Sequence, residues 1–199
     1  MNSSERERRI KEIRTRETEG AFVILVPASA EYAERIVNLR NRPRDKYWFN
    51  QPDVITTEGQ IEWLEMYEER NDDIYWCVLN KERVFIGTIR LYGIDLNGDY
   101  CEEGSYAIDE DSLGEEPYAV EAKMLALDVA FRDLEIRVMI NHNRVDHKVM
   151  NNIDNQLGFN SGVIEQIRGV DYLRRELKAE DYWNNRIKFA SLIDYWSVR

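Results

Sequence analysis

Residues 101–132 read C-E-E-G-S-Y-A-I-D (101–109), E-D-S-L-G-E-E-P (110–117) and Y-A-V-E-A-K-M-L-A-L-D-V-A-F-R (118–132). The first part has the β-compatible residues of a strand, and the last is a helix that is apolar nearly all round. The acidic turn between them holds one Gly and one Pro. A strand that feeds a turn opening a buried helix presents free backbone N–H groups at the helix start, which suits an anion such as phosphate. An ordinary β-loop-α crossover has the same pattern, and this stretch alone does not separate the two.

Downstream, Arg137–Asn141 reads as a strand parallel to the Cys101 strand, since such crossovers are right-handed. Val149, Ile153 and Leu157 recur every four residues and Gly158 supplies a stop, which makes a helix. Gly162–Ile167 and Ile187–Leu192 read as two last strands joined by a long charged segment. Upstream, Tyr75–Leu79 and Val84–Ile94 flank the polar turn Asn80–Arg83, and Asp95–Asp99 turns into the Cys101 strand. Three antiparallel strands therefore precede the crossover.

Earlier still, Thr57 and Gln60 have the spacing of a capping box for a helix ending near Asn71. Before it, residues 38–51 are irregular and carry four positive charges and the adjacent aromatics Tyr47, Trp48 and Phe49. Ser29 caps a helix through Asn38, and Phe22–Val26 is a short apolar strand. Residues 1–20 form a charged arm that Ser3 or Ser4 caps and Gly20 ends, with only Ile10 and Ile13 as an apolar edge. The expected architecture is α+β: one mixed, mostly antiparallel sheet flanked by about four helices, in a single domain over residues 21–199.

Composition narrows the function classes. The chain has 199 residues, 43% hydrophobic and 11% aromatic, enough for a real core. Its 27 basic and 38 acidic residues give a net charge of −11, which argues against a nucleic-acid surface or an anionic membrane partner. Cys77 and Cys101 lie in strand-like runs without Cys-x-x-Cys spacing and suit buried thiols in a reducing cytoplasm. No apolar run approaches a membrane span, and the charged start is not a secretory signal. We read a cytoplasmic protein. Exposed aromatics and the terminal arm are compatible with a homodimer.

The order of these elements resembles that of the GCN5-related N-acetyltransferase (GNAT) family. F-V-I-L-V-P-A-S-A-E-Y-A-E-R-I-V-N-L-R-N-R-P (22–43) is similar to the opening strand and helix of its ribosomal-protein and amino-sugar acetyltransferase branch. V-F-I-G-T-I-R-L-Y-G-I-D (84–95) is similar to its strand pair, E-E-G-S-Y-A-I-D with Y-A-V-E-A to its central strand and helix, and Q-L-G-F (156–159) to the close of its fourth helix. I-K-F-A-S-L-I-D-Y-W (187–196) is similar to its last strand.

The resemblance implies an N-acetyltransferase that moves an acetyl group from acetyl-CoA to a primary amine: a small amine, an amino sugar or a peptide N-terminus. It implies that the pantetheine arm pairs near Ala107, Ile108 and Asp109. The diphosphate would rest on the N–H groups of Gly114, Glu115, Glu116, Tyr118, Ala119 and Val120. Asn143 or Asp146 would take the role of the family's Asn, and Trp48, Phe49, Asn50, Gln51 and Tyr92 would line the acceptor pocket.

The sequence departs from the family pattern in two places. Gly114 stands where Arg or Gln belongs and Pro117, which has no N–H, where the inner Gly belongs. Only Ala119 fits, and Glu115 and Glu116 add negative charge. Counting back from Phe159, Asp154 occupies the place of the family's frequent Tyr acid, and an ionised Asp is a poor proton donor. A second reading follows: a GNAT scaffold that binds or interacts without transferring acetyl groups.

For the base that frees the amine, Glu102 and Glu103 are the candidates. Strand alternation turns only one to the cleft, and Glu102 matches the family's strand carboxylate. Tyr92 and Tyr106 serve as phenol donors or as packed aromatics. His142 and His147, the only histidines, lack Cys or carboxylate partners at ligand spacing, so no metal site is expected. G-F-N-S-G (158–162) is not a nucleophile elbow, and neither a P-loop nor a G-x-G-x-x-G fingerprint occurs.

Overall fold

The computed structural model describes residues 1–112 and 116–198. Among them, eight strands form one sheet: β1 (Thr18–Glu19), β2 (Val23–Pro27), β3 (Ile74–Asn80), β4 (Phe85–Tyr92), β5 (Tyr100–Ile108), β6 (Val138–Arg144), β7 (Val163–Ile167) and β8 (Val170–Lys178). Their order is β1-β2-β3-β4-β5-β6-β8-β7. Seven α-helices flank it: α1 (Ser3–Ile13), α2 (Ala33–Arg40), α3 (Pro43–Trp48), α4 (Thr57–Glu68), α5 (Tyr118–Asp128), α6 (Lys148–Leu157) and α7 (Ala179–Ser197). No helix among the described residues is long and apolar enough to cross a membrane.

Strand β3 shows why the sheet has two covered faces. Every residue from Ile74 to Leu79 is buried. Ile74, Trp76 and Val78 meet Ile10, Ile13 and Leu127 on one side. Tyr75, Cys77 and Leu79 meet Ile36, Leu64 and Tyr67 on the other. Alternate side chains serve opposite faces, so a strand between two helical layers is apolar throughout.

The crossover around α5 places β5 and β6 side by side and parallel, paired from Tyr100↔Val138 to Glu103↔Asn141. Beyond these positions they part. The β4–β5 register shifts between Thr88↔Ala107 and Arg90↔Gly104, and Ser105 there has φ +46°. Such a bulge adds one residue to a strand and bends it. It carries the end of β5 along β4 and away from β6. Gly87 lies beside it: a Cβ there would come within 2.2 Å of the Ala107 carbonyl oxygen.

Helix α5 is tied down by buried acids at both ends. The Glu121 carboxylate accepts from the backbone N–H groups of Ala21, Phe22 and Val23 at 2.7, 2.7 and 2.8 Å. Asp128 accepts from the Tyr182 hydroxyl at 2.6 Å and from Arg186 Nε at 2.7 Å, which clasps α7. Glu121→Gln leaves one oxygen to serve three donors. It should lower stability by about 1–3 kcal/mol in urea unfolding, with α5 intact by circular dichroism.

Several expectations from sequence are corrected. Ile187–Leu192 is not a strand but part of α7, whose buried residues Tyr182, Phe189 and Ile193 follow helical spacing. The charged segment before it is largely β8, where buried Tyr172, Arg175 and Leu177 sit among polar neighbours. Asn2 rather than a serine caps α1, its Oδ1 accepting from the Glu5 N–H at 2.9 Å. α1 ends at Ile13, before Gly20, with Ile10 and Ile13 in the core. Thr56, not Thr57, caps α4 through the Gly59 N–H at 3.0 Å, and α4 stops at Glu68. The segment expected to be irregular holds α3, with Pro43 in its first turn. Ser29 makes no side-chain cap and opens a 3-10 turn before α2.

Candidate functional site

Where β5 and β6 part, a cleft of about 920 Å³ opens. Glu102 and Glu103 lie at its apex and point to opposite faces of the sheet, as alternation requires. Each gathers its own cluster.

On the face of α3, Glu102 Oε1 accepts from the Tyr92 hydroxyl at 2.5 Å and lies 2.8 Å from His142 Nδ1. His142 Nε2 lies 3.3 Å from Glu165 Oε2. One polar row thus runs across β4, β5, β6 and β7. Burial pushes the Glu102 carboxyl up, but the hydrogen bonds from His142 and Tyr92 outweigh it and hold the group below its ordinary value. The bond to Glu102 raises His142. Burial and the adjacent Glu102 raise the Tyr92 phenol, so it stays a donor.

On the other face, Glu103 meets Lys123 of α5 and Asp154 of α6. The Lys123 ammonium lies 2.5 Å from Asp154 Oδ1 and 2.8 Å from Glu103 Oε2, and its side chain is 1% exposed. Asn141 donates to Asp154 Oδ2 at 2.8 Å, and Asn143 donates to the same oxygen. The Tyr106 and Phe159 rings lie 5.6 and 5.4 Å from the ammonium. Burial pulls the Lys123 ammonium down, but Asp154 and then Glu103 outweigh it and hold it above its ordinary value. Burial raises Glu103. Asp154 is therefore an anchor for three donors.

The remaining sequence candidates fall as follows. Trp48, Phe49 and Asn50 line the cleft. Trp48 stacks on His147 at 4.0 Å, and Asn50 Nδ2 donates to the Ile167 carbonyl at 3.4 Å. Gln51 does not line it: its amide donates to Asn41 Oδ1 and the Asp53 carbonyl and accepts from Arg40. Ala107, Ile108 and Ala119 line it too. Asp109 sits at the end of β5 with its carboxylate forked by Arg42, and Arg44 donates to the Ile108 carbonyl at 3.0 Å. Glu116 is exposed. Tyr118 and Val120 are partly buried in the first turn of α5, where the Glu121 N–H is bonded back to the Pro117 carbonyl at 3.0 Å. Asn143 faces the cleft while holding Asp154, and Asp146 binds the Tyr47 hydroxyl and Arg144. Gly114 and Glu115 lie outside the described residues. Among the described residues no group of His, Cys, Asp and Glu is placed to hold a metal ion.

Sequence reasoning missed His142 and Lys123. His142 had no local signal, because its carboxylate partners are 40 and 23 residues away. Lys123 had one: a lone cation in an apolar helix calls for buried partners.

The two histidines should titrate in opposite directions. His142 is raised by its bond to Glu102. It lends stability that is fully present below its unfolded value of about 6.5 and lost as pH rises through its folded value. His147 is lowered, chiefly by burial, so its contribution is present above about 6.5 and diminishes as pH falls below that. Imidazole ¹H–¹⁵N NMR should show the His142 midpoint above that of His147, and the reverse order would refute this geometry.

The description "Acetyltransferase (GNAT) domain" matches residues 23–160, more than half of the chain. The chain belongs to the GNAT acetyltransferase family. Solved structures share its fold. Apo FdhC, described as a nucleotide-linked sugar GNAT, is 21% identical, with 88% of this chain and 97% of that one covered at a TM-score of 0.74. The spermidine N-acetyltransferase from Vibrio cholerae, in complex with CoA and spermine, is 18% identical over 81% and 98% at 0.74. A GCN5-related N-acetyltransferase from Brucella melitensis is 17% identical over 89% and 85% at 0.74. A search of curated proteins finds no match. The cleft of this GNAT domain accordingly lies between its central parallel strands, with a carboxylate on each face.

Proposed function

We propose that this GNAT domain transfers an acetyl group from acetyl-CoA to a primary amine held in the cleft, with Glu102 receiving the proton that the amine gives up. The observation that carries this reading is the setting of Glu102. It lines the cleft at the point of strand separation, and Tyr92 and His142 orient its carboxylate. A base must lie within hydrogen-bond reach of the proton it takes, and only a fixed carboxylate meets that condition reproducibly.

The donor supplies an activated acetyl thioester. Two features of the chain fit it. The end of β5, from Gly104 to Ile108, has no partner on the β6 side, so its backbone is available to an extended arm. The first-turn N–H groups of Tyr118, Ala119 and Val120 suit a diphosphate.

The acceptor reads as an amino sugar or a peptide N-terminus in preference to a polyamine. Three of the four described acids of the cleft have a cationic partner, Asp45 with Arg44, Asp146 with Arg144 and Glu103 with Lys123, and the fourth, Glu102, is bonded to Tyr92 and His142. A polycation, which calls for several carboxylates free of cationic partners, finds one such group, Glu102, among the described acids there.

A second reading, a GNAT scaffold that binds without acetyl transfer, draws on Pro117, which donates no N–H, and on Glu116 beside the same helix start. Isothermal titration with acetyl-CoA separates the two. Binding at tens of micromolar or tighter supports transfer and justifies an amine screen for CoA release, whereas no binding at millimolar donor leaves the second reading.

A further inference from the structure

A second cavity, of about 410 Å³, lies between α4 and the sheet and shares Ser105 with the cleft. Its polar lining is Arg40, Gln60, Tyr75, Arg90 and Ser105, and Trp63 and Ile55 supply apolar wall. No Asp or Glu among the described residues lines it.

Two groups in it are poised for a ligand. Tyr75 is 2% exposed, and its hydroxyl has no well-aligned hydrogen-bond partner among the described residues, with the Thr88 hydroxyl as its polar neighbour. The Thr88 hydroxyl beside it donates to the Ser105 carbonyl at 2.8 Å. A buried polar group left without a partner is costly, and such groups in folded proteins are normally satisfied by water or a bound molecule. Burial pushes the Tyr75 phenol up to about 12, so it remains a neutral donor.

The second group is Arg40. Its Nε donates to Gln51 Oε1 at 3.2 Å and its guanidinium lies 4.6 Å from the Phe49 ring centre. It forms no ion pair with a described carboxylate. Arg90, by contrast, is spent: Asp73 accepts from its Nε at 2.8 Å and from its Nη2, and it lies over the Trp63 ring. Among the described residues the cavity therefore holds one positive charge without an ion pair, one hydroxyl donor without a well-aligned acceptor, a buried amide and an aromatic wall.

We propose that this cavity is a binding site for a small organic carboxylate, held between the Arg40 guanidinium and the Tyr75 hydroxyl with its apolar part against Trp63. A single fixed guanidinium matches a planar monoanion, whereas a phosphate dianion calls for more positive charge. The volume suits a small metabolite. The carboxylate has two available sources: a free metabolite, or a carboxylate borne by the amine in the adjoining cleft.

The test uses the full chain, titrated with sodium acetate and sodium succinate at constant ionic strength and followed by backbone amide NMR. Saturable shifts at Tyr75, Trp63 and Arg40 are expected. Tyr75→Phe keeps the ring and should weaken binding about tenfold, roughly one lost hydrogen bond. Arg40→Gln should abolish saturation while leaving the spectrum unchanged away from its own neighbours Phe49 and Gln51. No saturation with either salt, or equal affinity in wild type and both variants, would overturn the proposal and leave a cavity that holds water only. If succinate binds whether or not an acceptor is present, the ligand is a separate metabolite. If carboxylate-bearing amines displace succinate and Arg40→Gln raises only their KM, the acceptor itself supplies the group. Both of these outcomes support the site.

Discussion

Lys123→Met should lower the stability of the domain by about 3–5 kcal/mol, the range for removing one partner of a buried ion pair. The ammonium is the cation that Glu103 and Asp154 share, and all three side chains are at most 4% exposed. Methionine replaces the volume but leaves two buried carboxylates together without their shared cation. The sign of the pH dependence follows. Lys123 is held above its ordinary value, so its contribution in the wild type is present below about pH 10.5 and lost only as pH rises through the folded value. In the variant, the unpaired carboxylates favour protonation, and its deficit should shrink as pH falls toward 4–5, the range of roughly ordinary carboxyl titration. Adding Asp154→Asn should recover part of the loss by removing one of the two charges. Urea unfolding at several pH values reads all of this. A loss below about 1 kcal/mol would mean that water reaches the cluster.

Glu102→Gln bears on the proposed reaction and should lower kcat by about 10²–10⁴-fold, the usual weight of a positioned general base, with little change in KM. The same substitution removes the group that raises His142, so the His142 midpoint should fall in imidazole NMR. That readout does not depend on turnover. A fall in the midpoint without a fall in kcat would make Glu102 a positioning partner of His142 and not the proton acceptor. Unchanged values of both would break the row from Tyr92 to Glu165 as described.

Much of the fold was legible because it is written in local patterns. The strand, turn and apolar helix of 101–132 gave the crossover, and the four-residue period of Val149, Ile153 and Leu157 with Gly158 gave α6. The C-terminal end misled for a physical reason. Ile187 and Phe189 alternate like strand residues, but Ile187 is 71% exposed, and what makes 179–197 a helix is packing of Tyr182, Phe189 and Ile193 and the clasp on Asp128. That clasp spans 54 and 58 residues and leaves no local trace. The site divides along the same line. Glu102 and Tyr92 come together because they sit on strands read from sequence, whereas Trp48, Phe49 and Asn50 were named as an aromatic cluster in a segment read as irregular, which holds α3. His142 entered unread because imidazole–carboxylate pairing depends on the register of strands, not on spacing. Gln51 was named by its neighbours, yet its amide is engaged behind the cleft wall.

The parting of β5 and β6 also has a mechanical consequence. Only four residue pairs, Tyr100↔Val138 through Glu103↔Asn141, stitch the two ladders together. The sheet is therefore two antiparallel blocks meeting at a short seam, backed by the α5 packing on one side. A molecule lying in the gap would act as a splint, and slower amide exchange in both blocks at once would be its signature.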